Sequence, residues 1–338
     1  MTERIGSEPV MAAERVSVRF AVGRGTLTAV DDVSLALHRG RTVALVGESG
    51  SGKSTLAMAM MRATVPNEGR ILFQGRDITH LPERRLKPLR RHFQMVFQDP
   101  YASLDPRMTV GRVIAEPLRA HGLGNRQAIR ARVTEVLDQV GLPASAVHRY
   151  PAQFSGGQRQ RISIARALAA RPSVIVADEP VSALDVSIQA QIVSLLGEIQ
   201  ASENLAYLVI AHDLALVHHI SDRVVVLYLG RVVEEGPTTE VVSQPQHPYT
   251  AALLSATPTP DDPQRERIVL SGDPPSPIQR PAGCVFHTRC PIARPVCATD
   301  TPTLDPAGPN RAVACFFPGE LASGLTIASA PVRQKEGS

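Results

Sequence analysis

Tryptophan is missing from these 338 residues, and aromatic side chains of any kind make up only 4% of them. So few stacking platforms, with 36 basic and 32 acidic residues interspersed to a net charge of +4, speak against a nucleic-acid binder. No apolar run approaches the length of a bilayer span, so none is expected. Met1 to Phe20 sets Glu3, Glu8 and Glu14 among Arg4 and Arg15 without an apolar core, and neither a signal peptide nor an anchor is expected there. Cysteine is scarce as well: four in all, every one between residues 284 and 315. In a chain that otherwise reads as cytosolic, that clustering points to a metal or cluster site before disulfides. Lysine is scarcer still, with three among the 36 basic residues. The apolar content of 43% is ordinary for a protein with a real core, and the length suits one large domain with an appendage, or two domains.

One of the three lysines stands in the clearest motif of the chain. Gly47-Glu48-Ser49-Gly50-Ser51-Gly52-Lys53-Ser54-Thr55 meets G-x-x-x-x-G-K-S/T at every fixed position. It continues the apolar run Thr42 to Val46, a buried strand by its pattern. It leads into Leu56 to Met61, good helix formers without Gly or Pro. Glycines at a strand-to-helix turn let backbone N–H groups wrap a phosphate chain, and the helix N-terminus adds free donors and partial positive charge. Lys53 would reach the β- and γ-phosphates, and the Ser54 hydroxyl would hold Mg²⁺. The plain alternative is a turn that only joins strand to helix. A lysine kept here in so arginine-rich a chain favours the nucleotide, because a compact ammonium suits that place.

Around this motif the chain alternates in character. Val16, Val18 and Phe20 alternate, Gly23-Arg24-Gly25 breaks the run, and Val30 to Leu37 alternates again, predicting strands and turns over 15–46. Arg70 to Phe73, before Gln74-Gly75, predicts another strand. The basic run Arg84 to Arg91 reads as a solvated face. Ile129, Val133, Val136 and Leu137 recur at helical spacing and predict a helical insertion within an α/β core. Val174 to Ala177 and Ala206 to Ala211 are continuous apolar runs, typical of central parallel strands. Asp222 to Glu235 reads as a hairpin about Gly230. Past Gly236 the composition turns to Pro, Thr, Asp and Gly, and little regular structure is expected over 257–309.

Two further constellations narrow the chemistry. The run at 174–177 ends in Asp178-Glu179. Asp178 beside the phosphate loop can hold Mg²⁺ through water, and Glu179 can orient and deprotonate an attacking water. Two exposed loop acids are the bland alternative. Phe154-Ser155-Gly156-Gly157-Gln158-Arg159 opens a helix with Ser155 as N-cap and Ile164 and Leu168 on one face. That terminus is a second phosphate-binding end. A nucleotide already cradled at 47–55 has no need of it, so the economical reading assigns it to a nucleotide on a second subunit.

These residues together resemble the ATP-binding-cassette (ABC) transporter ATPases. Ser155, Gly156, Gly157 and Gln158 match the family's signature, with Phe154 where leucine is commoner. Gln98, within Gln94 to Pro100, resembles the Q-loop glutamine. Ser182 to Asp185 resemble the D-loop, and His212 the switch histidine that contacts the γ-phosphate. Phe20 is the aromatic expected to stack on adenine. The resemblance implies an α/β P-loop NTPase with a RecA-like core, an antiparallel β subdomain and a helical signature subdomain. The nucleotide-binding domain would span 14–236, with the helical part inserted at about 100–170. It also implies an ATP hydrolase in which two cassettes close face to face. Glu179, His212, Lys53 and Gln98 would be catalytic, Ser54, Gln98 and Asp178 would surround Mg²⁺, and Asp185 would link the two sites. A lone monomer is expected to be nearly inactive.

Gln94 to Arg107, with His247-Pro248-Tyr249-Thr250 and Leu253-Leu254, narrow the resemblance to dipeptide and oligopeptide importers, most of all to the second of their paired ATPases. Nickel importers share these features. The implied partners are a second ATPase subunit, two transmembrane permeases and, indirectly, an extracytoplasmic solute-binding protein. The implied location is the cytoplasmic face of the membrane. An ABC ATPase of DNA repair or chromosome organisation would carry sustained heptads, which this chain lacks. Residues 237–320 form an expected extension of the importer type, and 321–338 an expected disordered end. Cys284, Cys290, Cys297 and Cys315 could hold a structural zinc or a 4Fe–4S cluster, or stay free thiols. The missing close C-x-x-C pair leans away from zinc, and members of the resembled group carry a cluster on similarly spaced cysteines.

Overall fold

Alternating apolar residues near the N-terminus fold as a hairpin in the computed structural model, which describes residues 8–23, 25–182, 184–212, 214–256, 268–270 and 272–321. β1 (Met11–Val22) and β2 (Gly25–Leu37) pair antiparallel, from Met11 opposite Leu37 to Val22 opposite Gly25. Register shifts between Ala13 and Arg19 interrupt the alternation, and Phe20 comes out exposed while Val16 and Val18 are buried. β3 (Thr42–Val46) is buried at every residue, as a central parallel strand covered on both faces must be. β4 (Glu68–Phe73) pairs with β1, and β5 (Arg76–Asp77) with β4, giving a four-stranded layer in the order β2-β1-β4-β5.

The main sheet is mostly parallel. β6 (Phe93–Val96), β7 (Val174–Asp178), β8 (Ala206–Ala211) and β9 (Arg223–Tyr228) join β3 in the order β9-β3-β8-β7-β6. β10 (Arg231–Pro237) returns antiparallel on β9, the hairpin expected about Gly230. Between β6 and β7 the chain leaves the sheet for helices Val110–Ala120, Arg126–Gln139 and Gly156–Ala169. Their apolar faces close on Val96, Ile175 and Ala177 of the sheet in one core. Asn125 caps the second helix by accepting from the Ala128 N–H at 2.9 Å, and Val133, Val136 and Leu137 point inward from it. The basic run is itself part of a helix, Glu83–Arg90, which buries Leu86 and leaves most of its charges to solvent.

As the composition suggests, regular structure is sparse over 257–309, where the described residues hold the helix Pro295–Thr299 and the strand Asp305–Pro306, but the sheet itself continues past residue 236. β10 runs through that point, and β11 (Asp305–Pro306) and β12 (Ala312–Val313) extend the same sheet, Val313 pairing with Glu234. Helices Thr238–Ser243, Pro248–Ala256 and Pro295–Thr299 complete this part. Glu234 pins it. Its carboxylate has no exposed surface and accepts from the N–H groups of Gln246 and His247, both at 2.9 Å, and from Arg311 at 2.6 Å. Two backbone donors and a guanidinium are what a buried carboxylate requires. The expected disordered end, 321–338, lies almost wholly outside the described residues.

Candidate functional site

Neighbouring parallel strands deliver their C-terminal ends to one edge of the sheet, where ligands bind in open α/β folds. Register does this here. Val46 pairs with Ala211, Ile210 with Asp178, and Ala177 with Val96. The residues that follow, Gly47, His212, Glu179 and Gln98, are therefore gathered at one edge although the chain visits it at four separate times.

The loop at 47–55 is wedged between backbone walls. A side chain on Gly47 would stand 2.2 Å from the Leu227 carbonyl, and one on Gly52, at φ 102°, 2.2 Å from that of Ala29. Glycine is obligatory at Gly52 on both counts. The Gly230 N–H donates to Ser51 O at 2.8 Å. Lys53 Nζ donates to the carbonyls of Gly47 at 2.7 Å and Glu48 at 2.9 Å. Burial holds its pKa below the usual lysine value, although Glu179, Asp178 and Glu48 pull the other way. Ser49, Gly50 and Ser54 are exposed and Thr55 is half-buried, leaving the mouth of the loop open.

Across that mouth stand the carboxylates. Ser54 Oγ donates to Asp178 Oδ1 at 3.5 Å. Burial pushes the Asp178 carboxyl up, the Ser54 hydrogen bond draws it down, and the Glu179 charge adds to the rise. Glu179 takes φ 44°, an uncommon backbone for a side-chain-bearing residue and one that recurs at functional sites. Its Oε2 accepts from Gln98 Nε2 at 2.7 Å, and its Oε1 lies 3.5 Å from His212 Nδ1. A carboxylate held between an amide and an imidazole, beside a lysine-bearing phosphate loop, is equipped to orient a water and take its proton.

The second glycine-bearing terminus is built but stands apart. Ser155 Oγ accepts from the Gln158 N–H at 3.4 Å, and Gln158 Oε1 from the Ser155 N–H at 3.1 Å, a reciprocal capping box. A side chain on Gly157 would come within 2.5 Å of Ile188, on the helix Val186–Glu203, and Arg159 lies 4.1 Å over the Tyr101 ring. Asp185 is exposed at the start of that helix. Among the described residues no hydrogen bond or ion pair joins 155–158 to 47–55. Phe20 is 40% exposed, on the hairpin whose Ala29 carbonyl abuts Gly52.

All four cysteines line one narrow hollow, with His247, Phe286, His287, Ile292, Phe316 and Phe317 among its walls. Burial pushes the Cys284 thiol up, and those of Cys290 and Cys315 to about 11. Among the described residues no group of three His, Cys, Asp or Glu is arranged to hold a metal ion. The thiols thus share a cavity without forming a coordination shell, an arrangement that by itself supports neither zinc nor the expected cluster. The fold also brings to the phosphate loop two residues that the sequence did not tie to it: Arg289 on the Glu48 carboxylate and Tyr249 on the Glu48 N–H. His247 to Thr250 are distinctive as a string, but nothing in the sequence pairs them, or Arg289, with residue 48.

Known proteins resemble this chain along most of its length. The profile of the family described as ABC transporter matches residues 30–182, and that of the oligopeptide/dipeptide transporter C-terminal region matches 233–297. The oligopeptide transport ATP-binding protein AppF of Bacillus subtilis is 52% identical over 297 residues, covering 87% of this chain and 90% of that protein. A putative peptide import ATP-binding protein of Brucella ovis is 49% identical over 309 residues, covering 91% and 98%. Among solved structures, the dimeric ATP-binding cassette MJ0796, in a post-hydrolysis state bound to ADP and Pi, superposes with a TM-score of 0.62 at 30% identity. That match covers 68% of this chain and 98% of the other. The protein cbiO1 of Clostridium perfringens, part of the ABC transporter complex cbiONQ, gives 0.62 at 29% identity, over 70% and 91%.

Proposed function

Since this chain belongs to the ABC transporter family, as the ATP-hydrolysing subunit of a peptide importer, we propose that it works as half of a pair, each ATP lying between the phosphate loop of one subunit and residues 155–158 of the other. The observation that carries this reading is the division at the strand edge. Gln98, Asp178, Glu179 and His212 gather at the chain's own loop, whereas the capped terminus at Ser155 has no bond to it. A site split in this way is completed only when a second cassette faces the first.

In the mechanism, the loop N–H groups and Lys53 bind the phosphates, and Phe20 stacks on the base. Glu179 takes the proton of the attacking water, with Gln98 and His212 on its two oxygens, and His212 meets the charge developing on the γ-phosphate. Ser54, Asp178 and Gln98 fit Mg²⁺: a hydroxyl beside a half-buried carboxylate, with an amide oxygen near, is a hard-oxygen donor set. When bound, that ion supplies charge neutralisation on the phosphates. Asp185 couples the two sites, and closure excludes water before hydrolysis reopens the pair. Two permeases would dock near Gln98, where the Phe97 and Tyr101 rings are exposed, on the cytoplasmic face of the membrane. Among the described residues no helix is long and apolar enough to cross the membrane, so translocation falls to those partners and binding outside to a solute-binding protein. Relatives named for peptide import favour peptides over nickel as cargo. Size-exclusion chromatography of Glu179→Gln with ATP and Mg²⁺, alone and with the partner ATPase, is expected to show an ATP-dependent dimer. A monomer that hydrolyses ATP at the rate of the assembled complex would overturn the reading.

We also propose that Cys284, Cys290, Cys297 and Cys315 hold a 4Fe–4S cluster. What supports it is the donor set, four soft thiols on the wall of one hollow that also includes several apolar side chains. A bound cluster would brace the extension. Anaerobic purification is expected to give brown protein with iron and sulfide in equal amounts. Colourless protein with stoichiometric zinc would refute it.

A further inference from the structure

A free carboxylate at Glu48, within the loop that cradles the phosphates, would repel them. The extension neutralises it. Arg289 reaches back with a two-point grip, Nη1 at 2.8 Å from Oε2 and Nη2 at 3.2 Å from Oε1, and only 8% of its side chain is exposed. A forked guanidinium on a carboxylate, largely shielded from water, is the strong form of this contact. The Glu48 N–H donates to Tyr249 Oη at 2.7 Å. Tyr249 is itself fully buried, its ring edge-on to Tyr228 at 4.7 Å and 5.4 Å from Phe286. The carbonyl of the same Glu48 accepts from Lys53 Nζ. One loop residue is thus held by the extension at its side chain and its N–H, while its carbonyl holds the lysine that meets the phosphates. Both tethers issue from the cysteine hollow: Arg289 adjoins Cys290, and Tyr249 N–H donates to Nδ1 of His247 in its wall.

We propose that Arg289 and Tyr249 are positioning residues of the ATP loop, through which the C-terminal extension sets nucleotide affinity; this rests on the reading of 47–55 as that loop. Arg289 cancels the Glu48 charge, and Tyr249 fixes the peptide that carries the Lys53 acceptor. The test measures binding of a fluorescent ATP analogue to the full chain, and kcat and KM in the assembled complex. Arg289→Ala is expected to bind about 10-fold more weakly, with kcat at saturating ATP within about twofold of the parent and partial rescue by Arg289→Lys. Adding Glu48→Gln to Arg289→Ala should recover much of the affinity, because the uncompensated charge is gone. A role confined to packing would leave the double variant as weak as Arg289→Ala, and that result overturns the proposal, as does unchanged affinity in Arg289→Ala. If Arg289→Ala does not fold, Tyr249→Phe carries the test: weaker binding of the analogue supports the positioning role, and parental affinity removes it. Lys53→Ala separates the two levels. Loss of binding in Lys53→Ala beside parental affinity in Arg289→Ala sinks the positioning role alone, whereas binding retained in Lys53→Ala sinks the loop reading beneath it.

Discussion

At the strand ends, functional side chains arrive by register. In the extension, contacts arrive by arginine. Gln98, Glu179 and His212 each follow a parallel strand whose neighbours are set by backbone pairing, so small offsets in the chain become short distances at the edge. The extension reaches the cassette instead through Arg280 on Asp31, Arg289 on Glu48 and Arg311 on Glu234, with side-chain exposures of 17%, 8% and 5%. The first plan tolerates solvent, because chemistry needs an open mouth. The second depends on shielding, because an ion pair is worth little in water, and its loss is costly only where the remaining charge stays buried.

The strand edge is most sensitive at Glu179. Glu179→Gln is expected to lower turnover in the assembled complex by about 10² to 10⁴-fold, as loss of a general base does, while ATP binding persists. Phosphate release and analogue binding, measured side by side, check both halves. Next comes Arg311→Ala, which strands Glu234 without its guanidinium in a fully buried place. A loss of about 3–5 kcal/mol in denaturant titration is expected, with the phosphate loop chemically intact. A loss under about 1 kcal/mol would mean that the extension is tied down elsewhere.

The smallest effect falls on Asp31. Burial pushes its carboxyl up, but Arg231 and Arg280, each at 2.7 Å, more than offset this and hold it below the ordinary value of 3.8. A carboxyl depressed in the folded state adds stability above the unfolded pKa, and that share vanishes as pH falls through the folded one. The difference in melting temperature between the parent and Asp31→Asn should therefore be constant from neutral pH to about pH 5, then shrink and disappear as pH falls below 3.8. A difference that grows on acidification would contradict the assignment.

Much of the site was legible beforehand, because its parts are local. The loop glycines, the cap at Ser155 and the carboxylates after an apolar strand each follow from a few adjacent residues. The helical insertion was legible for the same reason, its apolar residues recurring at a period that only a helix satisfies. Phe20 was expected to stack on adenine, and in β1 it lies exposed while Val16 and Val18 of the same run are buried. The strand pairing past residue 236 was hidden, since two-residue strands carry no periodicity: β11 pairs with β12, and β12 is anchored on β10, far back in the chain. The hollow was half visible: four cysteines announced themselves, but not that they would line one narrow cavity with Phe286, Phe316 and Phe317.

What the amino-acid string determined by itself is whatever short-range physics can enforce: glycines where backbones collide, a hydroxyl on a helix end, apolar runs that must be buried. What only the tertiary structure decided is which charge meets which. In a chain this rich in arginine, any carboxylate has many equivalent partners in sequence, and desolvation selects among them only once the fold has chosen which pairs water cannot reach. Glu48 is a loop residue by its motif, and its partner Arg289 exists for it only because the extension folds back.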